Sequence, residues 1–132
     1  MQSEKIFEKV DFGHRTKQFA LATINLYSCL PQSVAAQVIG KQMLRSATSV
    51  GAQYREARRA RSRAEFVSKL DSALQELEET EYWFELLSES AIVPHDKLKP
   101  LFIELKQIAA ILTTSSKTAK ANAMKEKLKD KS

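Results

Sequence analysis

The sequence predicts an all-α fold, an up-down-up-down antiparallel four-helix bundle. The 132 residues include only three Gly and three Pro, with abundant Ala, Leu, Glu, Lys and Arg, a composition that favours helices. Apolar residues recur in steps of four and three, and short connections make neighbouring helices antiparallel. We expect one bundle domain at residues 1–116, followed by a disordered Lys-rich tail at residues 117–132. A three-helix core with an independent first helix is the alternative.

Capping residues and Pro divide the first half of the chain into two predicted helices. The first runs from about Asp11, as its N-cap, to Cys29, and ends ahead of Pro31. Ser33 is suited to cap the second helix, which runs to about Arg59. The apolar positions are Phe12, Phe19, Ala22, Leu26 and Leu30 in the first helix, and Met43, Ala47, Val50, Tyr54 and Ala57 in the second.

The third helix has the most regular pattern of the chain. Ser62 and Glu65 fit a capping box, in which the Ser oxygen accepts from the third amide and the Glu carboxylate reaches back to the Ser62 amide. A fourth helix begins after Pro94, near Asp96 or Pro100. The four-three seam of the third helix is typical of bundles and comprises Phe66, Leu70, Ala73, Leu77, Thr80, Phe84 and Leu87. The fourth helix has Leu98, Leu101, Leu105, Ile108 and Leu112 on one side.

The charge of the chain reverses between the second and third helices. Residues Lys41–Arg63 contain seven Lys or Arg and one acid, whereas Ala64–Ser90 contain one Lys and eight Asp or Glu. The segment Lys117–Ser132 contributes +4 to a net charge of +5. Helices of opposite charge pair with each other, and the basic excess favours a polyanionic partner.

No catalytic or metal-binding pattern is recognisable, so we expect a protein that is not an enzyme and holds no cofactor. His14 and His95 are distant in sequence and, with one Cys, do not form a zinc site. The glutamates of the third helix lack the Glu-x-x-His pairs of di-iron bundles. Cys29 has no intrachain disulfide partner, and we expect it in a half-buried position. A reducing cytoplasm is the expected location, and no segment is apolar enough to span a membrane.

Seven basic residues form the candidate nucleic-acid site. Most share one stripe of the second helix, opposite its apolar side, and the rest cluster at its end and in the following turn. Guanidinium groups suit phosphates, and a row of them makes a salt-sensitive surface for RNA or DNA. The alternative is a solvated face whose arginines pair with the acidic third helix. The candidate residues are Lys41, Arg45, Arg55, Arg58, Arg59, Arg61 and Arg63.

Apolar residues outside the main seams indicate a protein interface. Tyr82, Trp83 and Leu86 make the end of the third helix apolar almost all the way round, and Ile103 lies off the main stripe of the fourth. Such patches usually mark contacts between proteins, and Trp and Tyr commonly anchor them. We therefore predict self-association through these four residues. The alternative is that the first helix or the chain end covers them.

Three stretches are recognisable beyond their helical pattern: Leu44–Ala57, Phe66–Leu70 and Glu76–Leu87. Together they resemble the bacterial four-helix-bundle proteins of the rRNA intervening-sequence family, over roughly residues Phe12–Leu112. That family is also similar to the accessory variability proteins of diversity-generating retroelements.

The resemblance implies a closed bundle, a homopentameric ring and a positive surface that binds nucleic acid. In the accessory members it also implies docking to a reverse transcriptase. Family members often have Asn-x-x-Glu where this chain has Gln53 and Glu56. We expect Ser49 and Glu56 to organise helix–helix contacts, with Gln53 as a third structural polar residue whose longer side chain departs from the family's Asn. The predicted function is therefore oligomeric binding of RNA or DNA. The alternative is a protein-interaction adaptor, such as an accessory subunit of a reverse transcriptase.

Overall fold

The structure is a computed structural model that describes the backbone of residues 2–130 and the side chains of residues 12–130. Each helix packs on its neighbours in sequence, with the largest interface between the second and third, and the first packs less extensively on the fourth. This order around the core makes the predicted antiparallel four-helix bundle. The helices are α1 (Gln2–Ser28), α2 (Val34–Arg58), α3 (Arg63–Glu89) and α4 (His95–Asp130).

The predicted apolar faces meet in one core. All five predicted positions of α2 are buried, and so are six of the seven in the α3 seam; Phe66 is half-buried. Phe12 and Phe19 of α1 are buried in the same cluster, so the alternative of an independent first helix is wrong. The largest fully buried side chains include Phe19, Met43, Leu70, Phe84 and Ile108.

The predicted N-caps of α2 and α3 are confirmed. The Ala36 amide donates to Ser33 Oγ at 3.3 Å, and the Glu65 amide donates to Ser62 Oγ at 3.1 Å. The second half of the capping box is displaced by one residue. Glu65 Oε2 accepts from the backbone amide of Arg61 at 3.3 Å, rather than from the Ser62 amide.

Two helices are longer than the sequence pattern predicts. Helix α1 begins at Gln2, so Asp11 lies inside it and not at its N-cap. No Gly or Pro stands between Gln2 and Phe12 to stop the helix. Helix α4 runs to Asp130, through the segment expected to be disordered, and Ala119 within that segment is buried.

Helices α2 and α3 are held in register by a buried polar contact. Ser46 Oγ and Thr80 Oγ1 lie 2.8 Å apart, and both residues are fully buried. Helices α1 and α2 approach closely at Gly40, where an added Cβ would lie 2.9 Å from Tyr27 Cδ2. Small and hydroxyl side chains thus set the distances between neighbouring helices, and the large apolar residues fill the space between them.

The turn after α3 contains a residue in the left-handed region. Ala91 has φ of 60°, and the Val93 amide donates to the Leu87 carbonyl at 3.0 Å, which closes the helix end.

A Cβ in this region costs about 1 kcal/mol, so Ala91→Gly is expected to raise the free energy of unfolding by about that amount. Urea denaturation measures it. Ala110→Gly, at an exposed position within α4, should lower stability by a similar amount, and equal signs for the two variants would contradict this account.

Candidate functional site

Three basic side chains form an exposed row on the outer side of α2, which we term the basic stripe: Lys41, Arg55 and Arg59. All three are exposed and lie opposite the buried face of the helix. None of them has an ion-pair partner among the side chains described at residues 12–130. From Lys41 to Arg59 the row extends about 27 Å along the helix. These cations are available to an external anion.

Arg45 shares this side of α2 but is engaged within the chain. Its Nη2 lies 2.6 Å from Glu79 Oε2, and its Nη1 lies 3.5 Å from Glu76 Oε2. Burial and the Glu79 carboxylate raise the pKa of Glu76 above its usual value, and Arg45 opposes that shift. Arg45 therefore pairs with the acidic helix α3, which was the alternative to a phosphate contact. Its replacement would leave two neighbouring carboxylates without their shared cation.

The other three basic candidates surround an open groove at one end of the bundle, which we term the end groove. It has a volume of about 1290 Å³ and lies between the α2–α3 turn and residues 114–122 of α4. Arg58 and Arg61 line it, as does Arg63, whose Nη1 lies 2.8 Å from Glu126 Oε2. The seven predicted basic residues therefore fall into two groups, which meet at Arg58 and Arg59, neighbours in the chain.

Arg58 is held at the wall of the end groove by an aromatic ring. Its Cζ lies 5.9 Å from the centre of the Tyr54 ring, which suits a cation–π contact. A Cβ at Gly13 would lie 3.3 Å from Arg58 Nη1, so the glycine leaves room for the guanidinium. Burial raises the pKa of Tyr54 above its usual value, with Arg58 opposing, so the phenol is neutral near pH 7.

Helix α4 supplies an uncharged polar wall that sequence reasoning missed. Thr114, Thr118 and Asn122 recur at every fourth residue and line the end groove with Ser115. The spacing was a usable signal, because residues four apart share one face of a helix. It was overlooked because the segment after Ser116 was expected to be disordered.

The three polar residues predicted to organise helix contacts have different surroundings. Glu56 Oε2 lies 2.8 Å from Lys69 Nζ, which links α2 to α3. Ser49 Oγ donates to the Arg45 carbonyl at 2.7 Å, within its own helix. Gln53 Oε1 is buried, with no hydrogen-bond partner among the described residues. Of the three, Glu56 has the inter-helix contact that we expected.

The predicted interface residues divide into exposed and packed ones. Tyr82 is 53% exposed and Ile103 is 50% exposed. Trp83 is half-buried against the core, and its indole nitrogen is buried with no acceptor among the described residues. Leu86 is also half-buried. Because α1 packs on α2 and α4, it does not cover the α3 side of this patch.

A second exposed apolar patch lies on the opposite side of the bundle. Leu21 and Ile24 of α1 and Val34 and Val38 of α2 are exposed, all within eight residues of the α1–α2 turn. Tyr82 and Ile103 lie at the same end, near the α3–α4 turn. Apolar surface thus occurs on two opposite sides of one half of the bundle.

Residue types that usually carry chemistry are dispersed. Within the described part of the chain, no three His, Cys, Asp or Glu side chains are grouped as a metal site would need. His14, His95 and Cys29 are exposed, so the expected half-buried position of Cys29 is wrong. None of the described helices is both long and apolar enough to cross a bilayer.

The sequence of residues 8–114 matches the family model described as 23S rRNA-intervening sequence protein. The chain belongs to this family. A solved structure of a protein with unknown function from the S23 ribosomal protein family of Bacteroides thetaiotaomicron is similar, with 37% sequence identity and a TM-score of 0.78. The match covers 83% of the present chain and 97% of that one. No curated protein matches. Membership of the intervening-sequence family agrees with the four-helix fold, and the two basic groups are the features of this chain that suit an anionic ligand.

Proposed function

We propose that this chain is a non-enzymatic, homo-oligomeric protein that binds the phosphates of RNA or DNA through the basic stripe of α2. The observation that carries the proposal is the row of exposed cations Lys41, Arg55 and Arg59, without acidic partners among the described side chains. A row of about 27 Å matches roughly eight phosphates of one strand. Contacts of this kind give affinity without sequence preference.

The oligomer is proposed to be a ring whose subunits meet head to tail. Two apolar patches on opposite sides of the bundle suit a contact between unlike faces, and such contacts close into rings. Tyr82 and Ile103 form one face of the contact, and Leu21 and Ile24 of α1 form the other. Val34 and Val38 share the side of α2 that carries Lys41, so they stay outside the contact. The resemblance noted above implies five subunits. The ring would repeat the basic stripe around its circumference, which strengthens the binding of a long polyanion.

Charge reversal of the basic stripe tests the nucleic-acid proposal. Lys41→Glu, Arg55→Glu and Arg59→Glu together should weaken binding to generic RNA and DNA by about 100-fold and reduce the slope of affinity against salt by about 3. Arg45 is left unchanged, since its loss would disturb Glu76 and Glu79. Fluorescence anisotropy over a salt series measures both quantities.

The control for this variant changes three exposed lysines elsewhere. Lys17→Glu, Lys97→Glu and Lys99→Glu alter the net charge equally, at positions away from α2. An equal loss of affinity in the control would show an effect of total charge and refute the stripe as the site. Full binding by the stripe variant would refute it as well.

The exposed apolar patch of Tyr82 and Ile103 also supports a second candidate, a protein-interaction adaptor such as an accessory subunit of a reverse transcriptase. An adaptor has no need of phosphate contacts. The absence of salt-sensitive binding to both RNA and DNA would therefore favour the adaptor over the first proposal.

A further inference from the structure

We propose that the end groove binds an unpaired stretch of nucleic acid, so that the protein prefers single strands to duplexes. This inference rests on the proposed function and gives it a second site with a different selectivity. The basic stripe is a convex helix face that any phosphate backbone can contact. The end groove is concave and is lined by residues of three helices and a turn.

The rim of the groove has the charge that a phosphate backbone requires. Neither Arg58 nor Arg61 has an ion-pair partner among the described side chains. Arg58 is held over Tyr54 and beside Gly13, so less freedom is lost when it contacts an anion. Guanidinium forks bind phosphate through paired hydrogen bonds. The groove therefore attracts a polyanion at a fixed place.

The wall and floor of the end groove are lined by uncharged polar and apolar side chains, which suit bases and sugars better than phosphates. Thr114, Thr118 and Asn122 present hydroxyl and amide groups that both donate and accept hydrogen bonds. Phe66, which is half-buried, adds apolar surface. Base edges and sugars pair with such polar groups, and unstacked bases lie against apolar surface. In a duplex these base groups are occupied by pairing and stacking, so only an unpaired segment can use this lining.

The volume permits such a ligand. Pockets that hold drug-sized molecules measure about 300–1,000 Å³, and the end groove measures about 1290 Å³. It therefore has room for more than one nucleotide.

The carboxylate of Glu126 competes with an external phosphate for Arg63. Its carboxylate lies 2.8 Å from Arg63 Nη1, and both side chains are largely exposed. An exposed pair of this kind contributes little to stability, so it exchanges readily for a phosphate. Glu126→Gln should release Arg63 and strengthen the binding of single strands by about twofold to fivefold. Misfolding of the variant would weaken binding, so it would not explain a gain of affinity.

The test compares single-stranded and duplex oligonucleotides of equal length and sequence by fluorescence anisotropy, using the full chain. The unmodified protein should bind the single strand about tenfold more tightly. Arg58→Gln with Arg61→Gln should remove most of this preference and change duplex affinity by less than about threefold. Lys97→Gln with Lys99→Gln removes the same charge at the opposite end of α4 and should preserve the preference.

The outcomes separate this inference from the proposed function. Equal affinity for both ligands, or equal loss on both in the Arg58 and Arg61 variant, overturns the groove as a single-strand site and leaves the basic stripe standing. Competition by a polyglutamate peptide as effective as that by the single strand would show an acidic-peptide site and overturn the inference. An unchanged affinity after Glu126→Gln would also contradict it.

Discussion

Phe84→Ala is expected to lower the free energy of unfolding by about 3–5 kcal/mol. Phe84 is fully buried. Its ring centre lies 6.3 Å from that of Phe19 and 5.4 Å from that of Phe102. One side chain of α3 thereby joins α1 across the core and α4 beside it, and its removal leaves a cavity facing both helices.

Urea denaturation followed by circular dichroism measures this loss. Phe102→Ala is the matched control, since it removes the same group from a half-buried position in contact with Phe84, and it should cost less. A cost for Phe84→Ala below that of Phe102→Ala would show that the centre of the core lies elsewhere.

Tyr82→Glu combined with Ile103→Glu is expected to convert the proposed oligomer to a monomer of 14.9 kDa. Both positions are about half exposed within one chain, so the folded monomer tolerates the charges. A subunit interface would have to bury two unpaired carboxylates, which prevents assembly at micromolar concentration. Sedimentation equilibrium gives the mass directly.

A control with the same change in net charge is Lys97→Gln with Lys99→Gln, which should retain the oligomer. A persistent oligomer in the Tyr82 and Ile103 variant would place the interface on another surface. Trp83→Ala is a poorer test, because Trp83 packs against the core of its own chain. Its truncation would alter stability and assembly together.

The fold was predictable because local and global signals agree in this chain. The seam from Leu70 to Leu87 is buried almost as the four-three pattern requires, and Ser33 and Ser62 cap the helices that follow them. Helix ends at charged segments were harder to predict. The composition of a Lys-rich sequence without a strong apolar stripe indicates disorder. In the structure, however, the small side chains of Ser116 and Ala119 are buried against the bundle, and α4 continues to Asp130.

The candidate site was predictable by residue type and not by arrangement. Helical periodicity places Arg45 on the same side of α2 as Lys41 and Arg55. It does not show that two carboxylates of the next helix, Glu76 and Glu79, reach Arg45. The partner of a charged side chain depends on the register between helices, which the spacing within one helix does not contain. For the same reason, the spacing of Thr114, Thr118 and Asn122 shows that they share one face of α4, but it does not show that this face meets the α2–α3 turn across a groove.

The boundary of the family match has a consequence for how these proteins diversify. The matched region, residues 8–114, contains every arginine of the end groove, but it stops where the polar wall of α4 begins. Arg58, Arg61 and Arg63 belong to the shared bundle, whereas Ser115, Thr118 and Asn122 lie on an extension of its last helix. Its exposed positions accept substitutions without disturbing the core, whereas Ser116 and Ala119 of the same extension are buried. In the function proposed above, general attraction for polyanions would therefore come from the matched region, and the choice among them would come from the extension of α4.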